Sequence, residues 1–82
     1  MPHVGPAVWK VFSVDGETYY WTAYTSAQRA GDGPWEPIEY LTVSRRADAP
    51  GIGAVHPAGT VVTEQHAVDL VRLAKAHGPD FP

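Results

Sequence analysis

The fold class predicted from this sequence is α+β: a small antiparallel sheet of three or four strands, opened by a β-hairpin and packed by one C-terminal helix. Three patterns predict it. Residues 7–14 and 18–24 are rich in β-branched and aromatic side chains and flank Asp15-Gly16, a pair suited to the positive φ angles of a two-residue type I′ turn. Residues 38–45 alternate in polarity after Pro37, a residue tolerated where a strand begins. Past Thr63, the residues Ala67, Leu70, Val71 and Ala74 recur at i, i+3, i+4 and i+7, the stripe of an amphipathic helix.

With Asp15 and Gly16 as the turn, Val14 pairs with Glu17, Phe12 with Tyr19, Lys10 with Trp21 and Val8 with Ala23. The intervening pairs are Ser13 with Thr18, Val11 with Tyr20 and Trp9 with Thr22. Side chains alternate with a period of two, so each set lies on its own face. The set with Val8, Phe12, Val14, Trp21 and Ala23 has more aliphatic content and is expected under the helix. Lys10 is then expected at its edge, over the Trp21 ring. Trp9, Val11, Ser13, Thr18, Tyr20, Thr22 and Tyr24 fall on the opposite face, and a one-residue slip would exchange the two.

Residues 25–30 read as one helical turn with Ser26 as N-cap, and residues 31–37 as a loop rich in turn formers. In the third strand Leu41 and Val43 share one side, while Tyr40, Thr42 and Ser44 share the other. Residues 46–59 hold Pro50, Pro57, Gly51, Gly53 and Gly59 and read as a long connection without regular structure. Residues 60–63 read as a short fourth strand. Thr63 is the expected N-cap of the helix, Glu64 sits in its first turn, and Gly78-Pro79 ends it. Asp69 and Arg72 are expected to pair across one turn.

The chain has 82 residues, 44% of them hydrophobic, with three Trp, four Tyr and two Phe. That length holds one domain, assigned to residues 7–79, with residues 1–6 and 80–82 as flexible ends. Cysteine is absent, which excludes disulfides, thiolate zinc sites and iron–sulfur clusters. The first residues lack a basic stretch followed by an apolar one, and no run approaches the ~18 apolar residues of a membrane span. A cytoplasmic protein without membrane partners is the expectation. Six Lys and Arg against nine Asp and Glu leave a net charge of -3, which disfavours a life on phosphate backbones.

Chemistry-bearing motifs are weak. His66 and Asp69, three residues apart on the helix, could face one ion. His77 lies about 16 Å along the helix from His66 and cannot share a metal with it. His56 falls in the long connection. Ser13, Ser26 and Ser44 lie in no nucleophile turn, and nothing sets the spacing of Glu36, Glu39 and Asp48 as paired carboxylates. Gly51-Ile52-Gly53 is a fragment of a phosphate loop that the flanking residues do not complete. No catalytic residue, metal ligand or cofactor is therefore assigned.

The aromatic surplus carries more. Trp9, Val11, Tyr20, Thr22 and Tyr40 are expected to form an exposed protein-binding face, unless Trp35 and the two long loops fold over it. The expected function is a non-catalytic accessory module that binds another protein or its own copy, for instance as a homodimer, through this face or an open strand edge. Its small size fits an accessory protein of a phage or mobile element, and the generic strand–loop–helix run of residues 59–70 resembles that of small phage head or neck proteins. The alternative is a small nucleic-acid-binding regulator using Arg29, Arg45 and Arg46 with the sheet aromatics, with Arg45 or Arg46 otherwise solvated or paired to Asp48. A third reading is an enzyme with a His/Asp site.

Overall fold

The computed structural model describes residues 8–47 and 51–78. Four antiparallel strands form one sheet in the order β1-β2-β3-β4: β1 (Lys10–Val14), β2 (Glu17–Gln28), β3 (Glu36–Ser44) and β4 (Ile52–Pro57). The helix α1 (Glu64–His77) follows and packs on one face, against β1 and β3. This is the α+β fold that the sequence patterns predict. Asp15 (φ 52°) and Gly16 (φ 82°) form the first turn, and their positive angles match the right-handed twist of the flanking strands. The register Lys10↔Trp21, Phe12↔Tyr19 and Val14↔Glu17 follows from that turn.

The helix covers the expected face apart from Val8, which precedes β1 and is 73% exposed rather than buried under α1. Phe12, Val14, Tyr19, Trp21, Leu41 and Val43 from the sheet are buried against Ala67 and Val71 of α1. Lys10 Nζ stands 4.7 Å from the centroid of the Trp21 ring. At the N-terminus of α1, the Thr63 N–H donates to His66 Nδ1 at 3.0 Å. This is the reverse half of a capping box, with His where Glu or Gln is usual. At the other end the Gly78 N–H donates to the Ala74 carbonyl at 3.0 Å.

Four other expectations need correction. Residues 25–28 are not helical; they prolong β2, because β3 offers Glu36–Glu39 as ladder partners, from Gln28↔Glu36 to Thr25↔Glu39. A single helical turn cannot compete, since nucleation fixes several dihedrals for one hydrogen bond. The long connection contains β4, with Leu41↔Ala54 and Val43↔Ile52 in register. Residues 60–63 form no strand but lead into α1, so the strand of the phage-like run at residues 59–70 is absent. Asp69 accepts a hydrogen bond from Gln65 Nε2 at 3.0 Å, in place of the expected pairing with Arg72.

Gly53 inside β4 and Gly51 just before it explain why the strand does not show in the sequence pattern. A Cβ on Gly53 would lie 1.9 Å from the Tyr40 hydroxyl oxygen, so the Tyr40 ring lies across this glycine. A Cβ on Gly51 would lie 1.9 Å from the Val43 carbonyl oxygen. Both glycines serve close approach by a neighbour, Gly53 within the strand and Gly51 at its entry.

Candidate functional site: the helix-free sheet face

Alternation along the four strands builds a second face from Val11, Ser13, Thr18, Tyr20, Thr22, Tyr24, Ser26, Gln28, Glu36, Ile38, Tyr40, Thr42, Ser44, Gly53, Val55 and Pro57, as the registers require. Trp9, one residue before β1, continues it. Glu36, at one end, is the only ionised side chain in the set. A face this free of charge yet rich in Tyr, Trp and Thr differs from an ordinary solvated sheet surface, where charged residues alternate with the core positions.

By register Val11, Tyr20, Thr22 and Tyr40 point to this side of the sheet, and Trp9 adjoins it one residue before β1. Val11 is 61% exposed, while Trp9, Tyr20 and Tyr40 are half-buried. Thr22 is buried, so it supports the surface from within. Two exposed residues outside the expected site also belong to this face, Tyr24 and Val55. Tyr24 packs its ring 5.6 Å from that of Tyr40, tilted by 49°. Trp35 does not fold over the face; it is 64% exposed, with the Arg29 guanidinium 5.1 Å from its ring.

The three arginines do not converge. Arg29 follows the end of β2 beside the β2–β3 turn, whereas Arg45 and Arg46 follow the far end of β3. The strand rise places about 26 Å between those ends. Arg45 Nη2 pairs with Glu17 at 2.7 Å, and its guanidinium stands 5.2 Å from the Tyr19 ring. Asp48, the expected partner, lies outside the described residues.

Glu17 is a small electrostatic hub on the helix side of the sheet. Lys75 Nζ of α1 donates to it at 2.8 Å, and the Tyr19 hydroxyl donates at 3.2 Å. The Lys75 hydrogen bond first, and then that of Arg45, hold the Glu17 carboxyl at about 2, below its usual 4.5. The same contact with Glu17 raises the Lys75 ammonium above its ordinary value.

A shallow cleft of about 210 Å³ opens on the helix side, lined by Ala54, His56, His66, Asp69, Leu70 and Leu73. The His56 and His66 rings meet edge-on at 5.0 Å. His56 Nε2 is buried with no hydrogen-bond partner among the described residues. Neighbouring Glu39 is already engaged, accepting from Thr25 Oγ1 at 2.8 Å and from the Gly59 N–H at 3.1 Å. Among the described residues no three His, Asp or Glu side chains are grouped to hold a metal ion. No helix of the described residues is long and apolar enough to cross a membrane. No known protein family, curated protein or solved structure matches the chain.

Proposed function

We propose that this domain is a non-catalytic binding module that recognises another protein through the helix-free face of its sheet. One observation carries the reading: α1 covers a single face, and the other presents Trp9, Val11, Tyr20, Tyr24, Tyr40 and Val55 with one ionised residue at its margin. Tyr and Trp bring large contact area at low entropic cost, and they recur where binding energy concentrates. An accessory role, of the kind small phage or mobile-element proteins play, fits a domain whose useful surface is one sheet face.

The test is capture of a partner from the source cell, followed by titration against Trp9→Ala and Tyr20→Ala. Each change is expected to weaken the partner by about 2 kcal/mol, roughly thirtyfold, with the urea midpoint of the free domain little changed. If both variants keep full affinity, the face is not the contact.

The nucleic-acid reading is the weaker one because Arg29 stands at the opposite end of the sheet from Arg45 and Arg46, and Arg45 already has a carboxylate partner. It requires binding that falls steeply with salt; the protein-contact reading requires only a weak dependence, because the face is almost uncharged. An enzyme centred on His56, His66 and Asp69 has a cleft where it needs one, but the lining holds no hydroxyl, thiol or amine nucleophile.

A further inference from the structure

Charge is distributed over this sheet the wrong way round for a solvated surface. Of the ionised side chains on the four strands, Lys10, Glu17 and Glu39 stand on the helix side, and only Glu36, at one end of β3, stands on the other. An antiparallel sheet with one wet face ordinarily shows the reverse, with charge on the open face and none beside the core. Val11, Tyr24 and Val55 nevertheless stand 61%, 48% and 49% exposed on the uncharged face.

We propose that a second copy of the chain covers this face, sheet against sheet, with a two-fold axis lying between the two sheets. The proposal rests on the binding-module reading for the choice of face and goes further in naming what binds there.

Three observations favour a second copy over an unrelated protein. Contacts with transient partners use charge to steer the encounter, whereas homodimer contacts are more apolar and lose charge from their centres. This face has the second composition. The chain carries a net charge of -3, so its copies repel unless ionised groups stay out of the contact, and the four strands keep all but Glu36 off it. An isologous contact sets a patch against itself. Here the Tyr hydroxyls of one sheet meet Thr, Ser and Gln side chains able to pair with them.

The size of the face agrees. The strands have 5, 12, 9 and 6 residues. At ~3.4 Å per residue and ~4.8 Å per strand the face spans about 520 Å², and two of them about 1,040 Å². That reaches the ~1,000 Å² at which a specific interface begins and falls short of a permanent one. The dimer therefore dissociates on the order of 10 µM. Sheets packed ~10 Å apart make a four-layer molecule with both helices outermost. Each 82-residue chain, too short to bury most of its surface alone, gains a second core in this way.

Sedimentation velocity between about 1 and 300 µM reads the outcome directly, and the wild type is expected to pass from monomer to dimer across that range. Val11→Glu and Val55→Glu put a carboxylate on the outer strands of the face. Each is expected to raise the dissociation constant at least about tenfold, because the new charge would be buried against an uncharged surface. Leu73→Glu, on α1 and 57% exposed on the other side of the molecule, is expected to leave it unchanged. Urea midpoints taken at about 1 µM, below the association, show that each variant folds. A wild type that stays monomeric to about 300 µM overturns the second copy. So does a dimer that Val11→Glu and Val55→Glu weaken no more than Leu73→Glu does. The two readings fail separately: a monomer that captures an unrelated protein, and loses it on Tyr20→Ala, overturns self-association while keeping the face as a binding surface.

Discussion

Truncating Leu41 to alanine, alongside the same truncation at Val55, measures which face of the sheet supports the fold. Leu41 is fully buried at the centre of the sheet under α1, whereas Val55 on the opposite face is 49% exposed. Leu41→Ala removes three carbons that have no contact with water, about 2.4 kcal/mol at ~0.8 kcal/mol per group. The unfilled space adds more, which brings the loss to about 3 kcal/mol. Val55→Ala removes two carbons already half in water, and surface changes of that kind stay within about 0.5 kcal/mol. Total stability for a domain of this size is on the order of 4–12 kcal/mol, so the first loss is a large fraction of it.

Urea unfolding followed by Trp fluorescence suits the comparison, because Trp21 is buried in the same core. With a slope of about 1 kcal/mol/M, Leu41→Ala lowers the midpoint by about 3 M and Val55→Ala by under about 0.5 M. Equal losses, or a larger loss for Val55→Ala, would refute the placement of the helix and with it the open aromatic face.

Glu17 gives a pH dependence with a definite sign. Its carboxyl is held at about 2 in the fold, below the usual 4.5. Its contribution is therefore present above 4.5 and is lost as the pH falls from 4.5 through 2. Glu17→Gln should flatten the urea midpoint across that window, and an unchanged acid limb would contradict the hub. The raised Lys75 has the opposite sign, its contribution being present below the ordinary lysine value and lost on alkaline titration. His66→Ala removes the acceptor of the Thr63 N–H and should cost about 1 kcal/mol, with His66→Gln restoring most of it; thermal melts of the three proteins decide this. Gly51→Ala drives a methyl against the Val43 carbonyl and should cost about 2–3 kcal/mol. Gly59→Ala, with nothing within 4 Å of the new Cβ but φ at 85°, should cost about 1 kcal/mol. Equal melting temperatures for the two glycine variants would remove the distinction.

The first hairpin was legible because its information is local. Asp15-Gly16 selects a turn, the turn selects the register, and a period of two then assigns Trp9, Val11, Tyr20 and Thr22 to one face. Strand β4 was not legible, because Gly51, Gly53 and Pro57 read as loop punctuation until their neighbours are known. What requires Gly53 is the ring of Tyr40, thirteen residues earlier and on another strand. Val55 was lost from the binding face with β4, and so was the approach of His56 to His66. The extension of β2 is likewise written in β3, not in Thr25, Ser26 and Ala27 themselves. Burial of Thr22 depends on what flanks it across two strands, so no single-strand pattern reveals it.

The bond from Lys75 to Glu17 spans 58 residues, and it orders events on the ribosome. The hairpin that Glu17 opens can form as soon as it emerges, but its apolar face has no cover until α1 has been made. Until α1 docks, a sheet bearing Phe12, Tyr19, Leu41 and Val43 has neither face covered. A chain interrupted before Glu64 would thus be a natural client for a holdase chaperone, released when the helix arrives and Lys75 closes on Glu17.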